Sequence, residues 1–143
     1  MDAVMDAVMD VGALQAFLRA EFPQAADDFT IRDVTGDGVR VGLNAAERHL
    51  RPGGTVSGPT MFALADVAMY LAVLSRIGPQ ALAVTTNVSI DFMRKPPAGA
   101  ELTCTARLLK LGRALAVGDA LIGAAGLSGP VARAGLTYSI PPR

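Results

Sequence analysis

The chain has 143 residues, 51% of them hydrophobic and 18% charged, and its 13 basic residues cancel its 13 acidic ones. That describes one globular domain able to bury its own core, and it excludes a disordered chain. The balanced charge gives no basic footprint for nucleic acid and no acidic tail for a cationic partner. With aromatics at 5% and no Trp, a stacking platform for bases or sugars is disfavoured as well.

Residues 1–25 are expected to form a helical extension and residues 26–143 a single domain. The chain opens on a repeated Met-Asp-Ala-Val unit with no basic n-region and no cleavage site, which is not the pattern of a secretory signal. From Val11 to Glu21 the apolar residues Val11, Leu14, Phe17 and Leu18 fall at helical spacing, and Pro23 stops the run. Phe29 to Thr35 and Val39 to Leu43 alternate apolar and polar on either side of Gly36-Asp-Gly38, which predicts a β-hairpin. A loop over 45–56 holds Arg51-Pro-Gly-Gly54. Gly58-Pro59 opens a long helix, Ser57 is available before it as a cap or anion contact, and Gly78-Pro79 ends it. Four strand-like runs follow, over 83–93, 100–109, 114–124 and 131–140. The turns between them leave no room for a crossover helix, so an antiparallel meander of these four is expected. The sum is an α+β fold, with one long central helix wrapped by an antiparallel sheet of about six strands.

Within the long helix, Asp66 is the single charge between Thr60 and Ser75. Burying an unpaired carboxylate costs several kcal/mol, roughly, so such a residue is paired, protonated or at work. The helix approaches the length of a membrane span, but Asp66 inside it and Arg76 at its end argue against one. The one cysteine, Cys104, cannot form an intrachain disulfide, and its place in an alternating strand reads as a packing residue in a reducing, cytoplasmic setting. One Cys and one His leave no basis for a zinc cluster, so no metal is expected.

Two segments carry a resemblance to a known family. They are Gly54-Thr-Val-Ser-Gly-Pro-Thr-Met-Phe-Ala-Leu-Ala-Asp66 and Thr85-Thr-Asn-Val-Ser-Ile-Asp-Phe-Met-Arg-Lys-Pro96. The chain resembles the hotdog-fold acyl-CoA thioesterases of the phenylacetate-degradation (PaaI-like) type over roughly Phe29 to Ile140. The resemblance implies that Asp66 is catalytic, as base or nucleophile, and that the Gly58 N–H polarises the thioester carbonyl. No separate cofactor is implied, since coenzyme A is part of the substrate. Two departures stand out. The family usually has His-Gly-Gly where this chain has Ser57-Gly58-Pro59, and many members have Asn where this chain has Arg51.

Asp66 and Gly58 lie eight positions apart, roughly 12 Å along one helix, too far to act together on one carbonyl. Two antiparallel helices could bring them together. A two-fold homodimer with shared sites is therefore expected, with a dimer of dimers as a further possibility. Further candidate substrate contacts are Ser57, Arg51 and His49 in the loop, Met69 and Tyr70 on the acyl pocket, and Asn87 on the third strand. Arg94, Lys95 and Arg113 are candidates for the phosphates of coenzyme A. Each has a plainer alternative: a helix cap for Ser57, core packing for Met69 and Tyr70, and solvated positions for the others. The competing reading of the whole is a hotdog protein that binds an acyl-thioester without hydrolysing it.

Overall fold

The structure, a computed structural model, describes residues 6–142; residues 1–5, where the N-terminal repeat begins, and residue 143 lie outside them. Helix α1 spans Val11–Glu21, and Asp10 caps it by accepting the Ala13 N–H at 2.8 Å. Strands β1 (Phe29–Val34) and β2 (Gly38–Leu43) form the expected hairpin. Helix α2 (Gly58–Ile77) is followed by β3 (Val84–Phe92), β4 (Leu102–Leu111), β5 (Leu115–Ala124) and β6 (Ala132–Ser139). All neighbours are antiparallel, in one six-stranded sheet of order β1-β2-β4-β5-β6-β3. A sheet of this kind around one long helix is the hotdog arrangement.

The four-strand meander expected after the long helix is corrected in one respect. Strands β4, β5 and β6 do follow one another, but β3 pairs with β6 and β2 pairs with β4. The segment after β3 carries Pro96, Pro97 and Gly99, which do not make a tight hairpin. Instead it crosses the ends of β5 and β6, and Met93 N–H reaches Val131 O at 2.8 Å while Glu101 O accepts from Ala125 at 2.9 Å. It thus spans three inter-strand spacings, about 14 Å.

Helix α2 is apolar nearly all round, and it is long and apolar enough to cross a bilayer, yet two-thirds of it is buried inside the sheet. Its tight fit depends on small side chains on both surfaces. Ala65, Ala68 and Ala72 of α2 face a sheet lined by Ala106, Ala120 and Ala134, all essentially inaccessible. At Gly118 of β5 the approach is closest: a Cβ there would fall 2.5 Å from Cε of Met69 and 2.6 Å from the Arg107 carbonyl. Gly78 closes the helix at φ 92°, and its N–H satisfies the Leu74 carbonyl. Cys104 is fully buried on the inner face of β4, and burial pushes its thiol up to about 12.

Helix α1 joins the same core through Leu14 and Leu18. At the far end of α2, Arg76 is 1% exposed. It donates to Gly38 O (3.2 Å), Ser75 Oγ (2.8 Å) and Thr35 O (2.6 Å), tying the β1–β2 turn to the helix end. Replacing it with the apolar Arg76→Met strands those turn carbonyls. The expected loss is about 3 kcal/mol, seen as a lower urea midpoint at constant slope.

Candidate active site

The first half of α2 is where the sheet leaves a gap. Pro59, Phe62, Ala63, Asp66 and Val67 form its exposed and half-buried stripe, spaced as one helix face. Asp66 sits at the inner end of this stripe, on the wall of an apolar cavity of about 360 Å³. Leu18 of α1, Phe22 just after it, Phe29 of β1 and Tyr70 of α2 form much of that cavity. Tyr70 bridges the wall, with ring centroids 5.7 Å from Phe22, 6.3 Å from Phe17 and 6.1 Å from Tyr138, and its hydroxyl donates to Ala81 O at 3.0 Å.

The carboxylate is paired with hydroxyls, not with a cation. Thr85 Oγ1 and the Tyr138 hydroxyl each donate to Asp66 Oδ1 at 2.6 Å, the length of a hydroxyl on a charged oxygen. Burial, followed by the proximity of Asp66, raises Tyr138 well above the usual tyrosine range, so it stays a donor. Tyr70 is raised to about 12, by burial and then by Glu21. Thr85 reaches Asp66 because β3 carries a bulge between Thr85 and Asn87. The extra residue, Thr86, puts Thr85 on the helix-facing side along with Val88, Ile90 and Phe92. Sequence reasoning missed Tyr138. Its signal was faint but physical: a tyrosine in a buried strand needs a partner for its hydroxyl.

Gly58 opens a different recess. The Thr60 N–H is taken by Ser57 Oγ at 3.2 Å and the Met61 N–H by Ser57 O at 3.1 Å, while Pro59 has no N–H. The Gly58 N–H is thus the one donor of the first turn with no acceptor among the described residues. It borders a recess of about 310 Å³ that Arg51, Arg94, Lys95 and Phe92 also line.

The other predicted residues fall elsewhere. Ser57 is the N-cap, its hydroxyl shared with Thr60 N–H and Thr60 Oγ1. His49 is not solvated: Nδ1 accepts the Ala46 N–H at 2.8 Å and Nε2 faces Asp28 at 3.4 Å, with the side chain 12% exposed. It closes a short 3-10 turn, and its carbonyl takes the Ser57 N–H. Met69 packs beneath Gly118 of the sheet and does not border the cavity. Asn87 lies on the outer face of β3 with Asp91, which pairs with Arg133. Arg113 sits in the β4–β5 turn, outside both recesses. Among the described residues no three Cys, His, Asp or Glu side chains gather as a metal site.

A long helix in a six-stranded antiparallel wrap is the hotdog fold, and the comparisons with known proteins make this one a thioester hydrolase. The sequence profile of the thioesterase superfamily matches residues 53–126, and the chain belongs to that family. A Deinococcus radiodurans protein assigned as an esterase is 36% identical over 103 residues, 68% of each chain. A crystal structure from a Silicibacter species, assigned as a thioesterase, matches 96% of both chains at 56% identity and a TM-score of 0.89. A mutant of the phenylacetic acid degradation protein PaaI from Thermus thermophilus is 27% identical, with a TM-score of 0.72 over 83% of this chain and 99% of that one. The chain is thus PaaI-like. A hypothetical thioesterase of Streptococcus pneumoniae, crystallised with coenzyme A, shares the fold at 22% identity and a TM-score of 0.77, over 92% of this chain and 98% of that one.

Because Ser57 Oγ caps α2, Ser57→Ala is expected to lower stability by about 1 kcal/mol. Chemical denaturation of the two proteins measures this directly.

Proposed function

We propose that the protein hydrolyses acyl-CoA thioesters with a small or medium apolar acyl group, at sites shared between two copies of the chain. The observation that carries the reading is Asp66: a carboxylate on the wall of an apolar cavity, anchored through Oδ1, with Oδ2 bonded to no described residue. The acyl chain occupies the cavity and the thioester carbonyl lies at its mouth. Asp66 either takes a proton from water as it adds to that carbonyl, or attacks the carbonyl itself to form a mixed anhydride that water hydrolyses after the thiolate has left. The Gly58 N–H, at the positive end of α2, stabilises the oxyanion. The carbon–sulfur bond then breaks, and the coenzyme A thiolate takes up a proton. Arg94 and Lys95, with Arg51 beside them, offer point charges to its phosphates.

Asp66 and Gly58 belong to one continuous helix and border different recesses, so one chain does not bring them to one carbonyl. A second copy supports the reading on two further counts. The apolar stripe with Phe62 lies uncovered on α2, and β3 is a sheet edge with Val84 and Phe92 about half exposed beside it. Natural proteins cover such edges. The coenzyme A found in the pneumococcal relative agrees with the substrate class.

An acyl-CoA panel read by thiol release tests the activity. Asp66→Ala and Asp66→Asn should lower kcat by about 1,000-fold, the scale of a lost general base. Wild-type turnover no faster than these variants, with acyl-CoA still bound, would instead favour the non-hydrolytic binding protein. Mixing tests the shared site. Asp66→Ala and Gly58→Pro, each inactive alone, should regain about a quarter of wild-type activity when refolded together, since half the dimers are mixed and carry one intact site. No recovery would place each site within one chain.

A further inference from the structure

The two hydroxyls on Asp66 divide its oxygens. Each hydroxyl has one proton to give, and both converge on Oδ1 at 2.6 Å. The Tyr138 oxygen also lies 2.9 Å from the Asp66 carbonyl, which can only share that one proton, and Oδ1 is the nearer acceptor. Oδ2 has no hydrogen-bond partner among the described residues. Yet no buried side-chain nitrogen or oxygen in the structure lacks one, so Oδ2 must be accessible. The tyrosine itself cannot swing away. It is 3% exposed, its strand is paired on both sides, and its ring lies 6.1 Å from that of Tyr70.

We infer that Tyr138 is a positioning residue: it pins Oδ1 of Asp66, fixes the plane of the carboxylate, and leaves Oδ2 as the oxygen that meets the water or the thioester carbonyl. This rests on the proposed hydrolysis. Tyr138 touches no reacting atom. It acts through Asp66, with Thr85 as the second donor. The geometry matters because α2 offers the carboxylate no cation to orient it, and a misplacement of about 1 Å can cost roughly 100-fold in rate.

The titratable groups around the cavity are few. Helix α2 contributes Asp66 and Tyr70, β6 contributes Tyr138, and Glu21 of α1 acts on Tyr70. Phe29 of β1 and Val84 and Thr85 of β3 do not titrate. A change at the Asp66 carboxyl can therefore be assigned to the hydroxyl removed.

The test is Tyr138→Phe, which keeps the ring and deletes the donor. With ¹³C-carboxyl-labelled aspartate, and Asp66→Asn to assign the signal, the Asp66 carboxyl resonance at fixed pH should move from its wild-type position, because a donor on Oδ1 is gone. With acyl-CoA, kcat should fall about 100-fold at unchanged KM. Thr85→Val removes the other donor and should move the same resonance, and it carries the test if Tyr138→Phe does not fold. An unmoved resonance, or a raised KM at unchanged kcat, would overturn the inference. A wild type that hydrolyses no acyl-CoA would remove the proposed function while the resonance still decided whether Tyr138 holds Oδ1.

Discussion

Everything in this protein follows from the need to surround one apolar helix. Twenty residues of α2 carry a single acid, Asp66, and a basic residue at the end. Water is excluded from most of their surface by a sheet that curls around them, and the curl is possible because alanines meet at the contact and Gly118 leaves room for Met69. The sheet does not close. Its two edges, β1 and β3, leave the N-terminal half of the helix partly uncovered. The gap is where chemistry becomes available, because a carboxylate there can be half-buried among apolar walls and still be reached.

The two ends of α2 solve opposite problems. At the N-terminus Ser57 and Pro59 dispose of the surplus donors until, among the described residues, only Gly58 is left open. At the C-terminus Arg76 supplies charge where carbonyls accumulate, and a left-handed glycine ends the helix. The N-terminal half is thus left partly exposed and the C-terminal half is locked into the core. Helix α1 and the residue that caps its C-terminus add a wall to the cavity through Leu18 and Phe22, so the segment before the wrapped unit also shapes that space.

Much of this was legible in the sequence. The helices, the hairpin and the strands could be placed from apolar spacing and from Gly and Pro punctuation, and Asp66 stood out as a charge with no local reason to exist. Strand order was less legible: β3 and β4 are neighbours in the chain but not in the sheet, and pairing is decided by long-range fit that local patterning does not encode. The site was readable only in part. Gly58 and Asp66 lie on one helix and announce themselves by position. Tyr138 comes from 72 residues further along the chain and meets Asp66 only through the register of β6 with β3. Thr85 and Met69 were hidden for related reasons. A bulge reset the facing of Thr85 relative to the rest of β3, and a glycine in the opposing strand drew Met69 toward the sheet. His49, a lone loop histidine by sequence, is held through both nitrogens by partners that only the fold supplies.

The bulge at Thr86 has a consequence of its own. Strand β3 is two instruments spliced at one residue: before the splice it serves the carboxylate, and after it the row of Val88, Ile90 and Phe92 serves the helix flank. In an unbroken strand these tasks would share one alternation, and any change of phase would disturb both. The splice uncouples them. The segment beside Asp66 can change without disturbing the row beside Phe62, and the reverse, so one strand carries two sets of contacts that need not change together.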